Sequence, residues 1–409
     1  MKNIAFIHYS SPPVIGGVEF VMEAQVRFLA SRGHKIKVIS GKGKRFLPEM
    51  DFTCIPEVYS LNQVNTKVQE ELKERKTDSF LSLKSYLREK LEEELKGFDV
   101  VIAHNFFTMP FNMALTAACH ELAMEKEFIV WIHDSPYFDP SYSDFLDSID
   151  QESHPWNLLR RALPETTYVA LTEARRKKAI ELLGIPKEKI KIVPNGIDIF
   201  RLLNLCDELR KIAEYYSLWE KGWIGIFPAR LISRKNVELA IKIIAEMKRQ
   251  GTDSILIITG PPDAHREGEE YFYCLKNLVE EKKVEDRIVF LAKYPSGDGY
   301  FKVGFNLLRS LYLISDFLLI TSFQEGFGIP LLEGAIFKLP VFCSDIPPLR
   351  EIGKEGVYFF SLKESPEKIA QRIIKILKTL KPLNLFHKVL RTYDWERVLK
   401  THLIPLIRE

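Results

Sequence analysis

The chain reads as an α/β protein of the doubly wound type, carrying two parallel-sheet domains. Three observations predict this. Short apolar runs of strand length alternate with helix-period segments from one end to the other, as strand–helix–strand units require. The length, 409 residues, exceeds what one ordinary core organises and divides the chain into two domains, or three. The stretch DFLLITSFQEGFGIPLLEGAIFKLPVFCSDIP, from Asp316 to Pro347, is a βαβ unit in itself.

That unit opens with a buried parallel strand at 317–320, an unbroken apolar run. A turn follows, Gln324-Glu325-Gly326-Phe327-Gly328, and Pro330 then sits where the first helical turn tolerates it. Leu331, Leu332, Ala335 and Ile336 supply an apolar helical face, and 339–343 returns as a strand. A glycine-bearing turn at a helix N-terminus presents free N–H groups, and such a terminus favours anions.

The remaining elements follow in order. A strand at 3–9 leads into Ser10-Ser11-Pro12-Pro13-Val14-Ile15-Gly16-Gly17-Val18-Glu19. A helix to about residue 32 follows, with Phe20, Val21, Ala24, Phe28 and Leu29 inward, and Gly33 ends it. The next strand is 36–39. The loop lacks the G-x-G-x-x-G spacing, so no dinucleotide site is read here. Residues 67–96 are heavily charged, with Leu81, Leu83, Leu87, Leu91 and Leu95 at helical spacing, and predict a solvated helix or helix pair.

Strands at 99–103 and 128–132 end in His104-Asn105 and His133-Asp134, with a helix at 111–125 between them. Ligands of open parallel sheets gather beyond the carboxyl ends of strands, which makes both histidines candidate site residues. Residues 138–152 carry several aspartates among aromatics and serines. Their spacing fits no metal-binding loop, so they read as a flexible acidic loop. Strands at 167–171 and 191–193 flank a helix at 173–183, which Gly184 and Pro186 stop.

Pro194-Asn195-Gly196-Ile197-Asp198 is a turn, and a charged helix at 207–220 forms a linker to the second domain. That domain restarts with a strand at 223–228, then Arg230 and Lys235, then a helix at 236–250 closed by Gly251. Two cations between a strand exit and a helix start suit a phosphate group, arginine by paired hydrogen bonds and lysine as a point charge. Strands at 254–259 and 287–291 follow, with a polar insertion after Pro262 and a glycine-bearing mobile loop at 296–304. Arg350-Glu351 is expected to begin a helix.

The totals exclude several classes. Lys+Arg 58 against Asp+Glu 55 implies no nucleic-acid partner. Five scattered cysteines without a C-x-x-C pair argue against a disulfide framework or a zinc site and fit a reducing compartment. No apolar run approaches the roughly 20 residues of a membrane span. The N-terminus has no signal-peptide pattern, and a cytoplasmic location is expected.

Glu-Gly-Phe-Gly-Ile-Pro-Leu-Leu-Glu, residues 325–333, resembles the paired-glutamate motif of retaining glycosyltransferases of the GT-B fold, in family 4. The resemblance covers most of the chain and is strongest over 229–348. It implies two Rossmann-like domains facing across a cleft: 1–195 on the acceptor side, 196–385 binding the nucleotide sugar, and 386–409 crossing back to the first domain. It implies transfer of a sugar from a nucleoside-diphosphate sugar to a hydroxyl acceptor, without a metal or other cofactor.

By the same resemblance Glu325 touches donor sugar hydroxyls and Glu333 binds the ribose. Gly326, Phe327, Gly328 and Ile329 lie by the diphosphate with Arg230 and Lys235, and 292–294 line the base. Gly16 and Gly17 match a loop that approaches donor phosphate and acceptor, a plain tight turn being the other reading. His133 matches the acceptor side. The acceptor is a sugar, a glycerate-like small molecule or a lipid-linked sugar, and peripheral membrane contact is compatible with the last.

Two other readings keep the same architecture: a phosphorylase with inorganic phosphate in the diphosphate position, and a non-catalytic sugar-nucleotide-binding subunit. The intact set of Glu325, Glu333, Arg230 and Lys235 argues against the second. A glycoside hydrolase using the two glutamates is disfavoured. Eight residues of continuous helix span about 12 Å, more than the roughly 5–9.5 Å such carboxylates need. Glu325 stands just before the expected helix, which loosens that figure.

Overall fold

Two parallel sheets carry the architecture in the computed structural model, which describes residues 1–263, 266–295 and 299–408. The first contains β1 (Asn3–His8), β2 (Lys35–Ser40), β3 (Met50–Cys54), β4 (Val100–His104), β5 (Glu127–Ile132), β6 (Thr167–Ala170) and β7 (Ile190–Ile192). Its order is β3-β2-β1-β4-β5-β6-β7. The second contains β8 (Trp223–Phe227), β9 (Ser254–Ile258), β10 (Ile288–Phe290), β11 (Phe317–Ile320), β12 (Val341–Ser344) and β13 (Tyr358–Phe360), in the order β10-β9-β8-β11-β12-β13. Each sheet is doubly wound, and in each the order reverses beside the first strand: between β1 and β4, and between β8 and β11.

Both faces of the first sheet are buried, which is why its central strands are continuous apolar runs. Ala5 and Ile7 point into a core shared with Phe80, Leu83, Leu87 and Leu91. Ile4 and Phe6 alternate onto the opposite face, against Val21, Met22, Val26 and Leu29. The second core gathers Phe227, Leu256 and Phe317 with the helices Val237–Arg249 and Pro366–Thr379. Helix ends fall where the chemistry puts them: Thr172 caps the helix Glu173–Leu183 through its side chain, and Gly184 closes it at φ 62°.

The chain divides into two compact units. Asp198–Thr392 is one; Met1–Ile197 is the other, and the chain from Tyr393 onward belongs with it. The boundaries expected at 195/196 and 385/386 stand beside these, with the helix Lys381–Thr392 lying in the second unit. The returning segment is not one continuous helix. It runs as Trp395–Val398, a π turn at Leu399–Leu403, and Ile404–Arg408. It lays Trp395, Val398, Leu399, Leu403 and Ile407 on the same core as Ile4 and Phe6.

Several expectations are corrected. Residues 67–96 form two helices, Gln63–Lys73 and Asp78–Glu94. They are no merely solvated pair, since Leu83, Leu87, Leu91 and Leu95 are buried in the core and only Leu81 is exposed. Of the inward face expected on the first helix, Val21, Phe28 and Leu29 are buried, joined by Met22, Gln25 and Val26, whereas Phe20 is exposed. Of the apolar face expected after Pro330, Leu331 is buried, whereas Leu332, Ala335 and Ile336 are exposed.

The 138–152 segment is not a plain loop. It holds a short helix, Ser143–Asp147, and Tyr137, Phe138 and Phe145 pack against the first core. Arg350 lies within the helix Pro347–Gly353 and does not begin it. The segment 207–220 belongs to the second unit, where Leu209, Ile212 and Ala213 are buried. Parts of the polar insertion after Pro262 and of the 296–304 loop lie outside the described residues.

Leu403 is fully buried. Leu403→Ala should therefore destabilise the first unit by about 2–5 kcal/mol, the range for deleting a buried leucine side chain. A denaturant midpoint equal to wild type would show that the returning segment is not part of that core.

Candidate functional site

In the second unit the residues of interest collect where β8 and β11 end side by side. β8 runs out through Pro228 to a 3₁₀ turn, Ser233–Lys235. Asn236 follows with φ 51°, a left-handed conformation that asparagine tolerates, and the helix Val237–Arg249 begins. β11 runs out through Thr321 and Ser322, both buried. The Thr321 hydroxyl lies 3.0 Å from the Lys235 carbonyl oxygen and 2.7 Å from that of Asn236. The Phe323 N–H donates to the Arg234 carbonyl at 2.9 Å. These bonds tie the two exits together.

Across that staple Lys235 Nζ donates to both oxygens of Glu325, at 2.6 and 2.8 Å. Ser322 Oγ donates to Glu325 Oε1 at 2.6 Å. The side chains of Lys235 and Glu325 are only 12% and 7% exposed, so this is a largely buried ion pair. Arg234 adds a second cation, 3.8 Å from Glu325 Oε2, and donates to the Gln324 carbonyl. The sequence reading passed over Arg234, whose one signal was its place beside Lys235. Arg230 is not joined to this cluster. Its side chain is mostly exposed and pairs with Asp263 at 3.7 Å.

The turn between Glu325 and the helix Ile329–Ile336 leaves the N–H groups of Gly326, Phe327 and Gly328 without an acceptor among the described residues. Gly328 has φ 103°, and a Cβ there would meet Leu349 Cδ2 at 2.5 Å, so this position needs glycine. Gly326 faces open space. Phe327 and Ile329 are exposed. Glu333 lies on the helix, where Tyr312 donates its hydroxyl proton to Oε2 at 2.7 Å. Tyr312 is buried and stacks on Phe337 with centroids 5.0 Å apart; burial raises its pKa. Ala292 is buried with its carbonyl accepting from the Phe301 N–H, and Tyr294 packs against Tyr215, Tyr216 and Phe301.

The first unit has its own cluster at the corresponding reversal. His104 Nδ1 lies 2.9 Å from His133 Nε2, and His104 Nε2 lies 3.1 Å from Gln25 Oε1. His8 Nδ1 lies 2.9 Å from the His104 carbonyl oxygen. Burial lowers the pKa of His8, takes that of His104 well below its ordinary value, and pushes that of His133 down to about 3. All three rings are therefore neutral at neutral pH. The buried Glu19 accepts from Ser10 Oγ at 2.5 Å and lies 3.9 Å from His8 Nε2. It also explains Gly16, where a Cβ would meet Glu19 Oε2 at 2.1 Å; Gly17 has open space. His8, Gln25 and Glu19 had not been singled out from sequence as site residues.

Among the described residues no helix is long and apolar enough to cross a membrane, no cluster of three metal-ligating side chains occurs, and the five cysteines are free.

Two doubly wound parallel-sheet units, one with an ion pair and open turn amides at its strand-order reversal, have the architecture of the GT-B class. Comparison with known proteins narrows the class. Residues 15–201 match the family described as Glycosyltransferase Family 4, and residues 211–386 match Glycosyl transferases group 1. The chain belongs to the family 4 type of glycosyltransferases and is an enzyme of that kind.

An uncharacterized glycosyltransferase of Methanocaldococcus jannaschii is 22% identical over 416 residues, spanning 97% of this chain and 96% of that one. The mannosylglucosylglycerate synthase of Thermotoga maritima is 24% identical over 386 residues, spanning 85% and 83%. An O-antigen chain mannosyltransferase of Salmonella typhimurium is 24% identical over 286 residues, spanning 68% and 69%.

Two outcomes follow from the two clusters. Lys235→Ala leaves the Glu325 carboxylate buried without its partner and should cost about 3 kcal/mol. Adding Glu325→Gln should recover part of that loss in urea unfolding, and a Lys235→Ala midpoint equal to wild type would mean the pair is not a buried one. The histidines set a pH trend. Below about 6.5 the unfolded chain takes up protons that the folded rings refuse, so stability should fall as the pH drops from there towards about 3. The slope in thermal unfolding should be shallower in a His133→Asn variant.

Proposed function

We propose that the enzyme transfers a hexose from a nucleoside-diphosphate sugar to a hydroxyl acceptor, with retention of anomeric configuration. The observation that carries this reading is the Lys235–Glu325 pair beside three unpaired turn N–H groups at the carboxyl edge of the second sheet. A leaving diphosphate gathers negative charge as its bond to the sugar breaks. Groups that stabilise this charge must be in place beforehand, because only interactions stronger in the transition state raise the rate. Lys235 and the amides of Gly326, Phe327 and Gly328 are such groups, with Arg234 beside them. Arg230 joins them by leaving its long contact with Asp263. No metal is required, since these cations and dipoles supply the positive charge.

Glu325 takes the donor sugar hydroxyls. Its carboxylate is already fixed by Lys235 and Ser322, so a sugar meets an acceptor that no longer has to be ordered. Glu333 takes the ribose: Tyr312 occupies Oε2 and leaves Oε1 for the ribose hydroxyls. The turn at 292–294 lies against the base. Gly16 and Gly17 approach the phosphate and acceptor, and His133 serves the acceptor side. Relatives named for mannosyl transfer make mannose-bearing donors the first to test, and a sugar or glycerate-like hydroxyl the first acceptor class.

The decisive experiment is competition binding of free nucleoside diphosphates against inorganic phosphate, followed by NMR of the anomeric proton in the product. A nucleoside diphosphate should bind far more tightly than phosphate and compete with the donor, and an α-linked donor should give an α-linked product. Glu333→Gln should weaken nucleotide binding by roughly 1.5–3 kcal/mol while leaving phosphate affinity unchanged. Sugar release from a disaccharide by phosphate alone, with nucleotides inert, would decide for a phosphorylase.

A further inference from the structure

With the Gln25 amide oxygen facing His104, the hydrogen bonds around that ring leave one arrangement of protons. Gln25 Oε1 lies 3.1 Å from His104 Nε2, and an amide oxygen only accepts. His104 therefore carries its proton on Nε2, and in the neutral ring Nδ1 is bare. That bare nitrogen lies 2.9 Å from His133 Nε2, so His133 donates from Nε2 and keeps a lone pair on its own Nδ1. His133 is half-buried, and its Nδ1 has no partner among the described residues.

The surroundings hold this chain of donors in place. Phe6 stacks on the His104 ring at 6.1 Å and Trp131 lies against it at 5.5 Å. His8 Nδ1–H donates to the His104 carbonyl, which fixes the end of β4. A second proton on His104 or His133 is opposed by burial and by the neighbouring imidazoles. Gln25 is fully buried, and its Nε2 finds no partner. A buried amide that leaves half its polar atoms unpaired costs the fold free energy. What it provides in return is the oxygen facing His104.

We propose that His104, held by Gln25, is a positioning residue that locks His133 as the Nε2–H tautomer, so that His133 offers a substrate hydroxyl an acceptor nitrogen at Nδ1. The assignment of that hydroxyl to the acceptor rests on the glycosyl-transfer reading above. The selectivity follows from the chemistry: a hydroxyl can donate to Nδ1, whereas a carboxylate or phosphate oxygen would meet another acceptor.

The test uses the full chain labelled with ¹⁵N-histidine at neutral pH, with His133 assigned through a His133→Asn variant. Long-range ¹H–¹⁵N correlation should show His133 protonated at Nε2 and bare at Nδ1. The opposite tautomer, which a Gln25 amide turned end for end would impose, overturns the proposal. His104→Phe should leave His133 a mixture of tautomers and lower kcat by up to roughly 100-fold, with nucleotide affinity unchanged. His104→Asn, whose amide oxygen can replace Nδ1 as acceptor, should restore most of the rate.

Equal losses in the two His104 variants would reduce His104 to a packing residue and overturn its positioning role. Gln25→Leu, which keeps the volume, should mix the His133 tautomers in the same way; an unchanged His133 spectrum there overturns the part given to Gln25. The expected tautomer together with wild-type transfer by His133→Ala would overturn the substrate contact while leaving glycosyl transfer itself intact.

Discussion

What is placed at the second sheet's edge depends on a staple between two strand exits, with one buried hydroxyl at its centre. Where β8 and β11 run side by side, the crossovers that follow them depart in opposite directions, and their exits open a crevice that nothing in the sheet ladder holds closed. Thr321, with no exposure, spans that opening by bonding to the carbonyls of Lys235 and Asn236. Those carbonyls belong to the 3₁₀ turn and to the left-handed residue that opens the helix, where the Asn236 carbonyl also accepts from the Leu239 N–H at 3.2 Å. Satisfying them fixes the direction in which the Lys235 side chain leaves the backbone. From there Lys235 reaches Glu325, 90 residues further along the chain.

The two units share a topology and use it with opposite electrostatics. At the reversal in the second sheet, full charges are kept in a nearly dry place because each has a partner at hydrogen-bond distance, which is the condition for burying charge at all. At the reversal in the first, the groups are imidazoles, and burial removes their charge instead. A site of fixed cations suits a ligand that brings negative charge. Neutral rings whose proton positions are set by their neighbours suit hydroxyl groups, which are distinguished by the direction of a hydrogen bond and hardly at all by field. The contrast agrees with a division of labour between a phosphate-bearing donor and a hydroxyl-bearing acceptor.

Much of this was legible in the chain, and the parts that were not have physical causes. Buried parallel strands are apolar throughout, so β1, β4, β5 and β11 stood out. β3 (Met50–Cys54) and β13 (Tyr358–Phe360) sit at sheet edges with mixed exposure, and neither was read. Helical periodicity identified the helix after Pro330 but assigned it too wide a buried face. A helix of eight residues covers its sheet with little more than one side, here Leu331 and Gly334, where a Cβ would strike Leu318. Lys235 and Glu325 were readable because a local motif carries them. Arg234 was not, because its approach to Glu325 is made across 91 positions by the pairing of two strand exits and no local motif carries it. His8, as a partner of His104, was out of reach for another reason. Parallel register brings β1 beside β4 across more than ninety residues, and no spacing rule encodes that approach.

The two glutamates show how much of a role is set by neighbours rather than by the motif. Both lie at the same turn and helix, eight positions apart, and apart from the family resemblance nothing in their residue type distinguishes them. Glu325 is held by a cation and a hydroxyl, so its charge is compensated before any ligand arrives, and what it offers is orientation. Among the described residues Glu333 has only the Tyr312 hydroxyl, a neutral donor whose own ionisation burial opposes. Its negative charge therefore remains available to hydroxyl groups, and a hydrogen bond to a charged acceptor is roughly twice as strong as a neutral one. An uncompensated carboxylate beside a diphosphate would repel it, whereas a compensated one would not. Under the proposed glycosyl-transfer reading, the carboxylate tied to Lys235 can therefore stand close to the phosphates without repelling them, and the one on the helix is the better placed for the ribose.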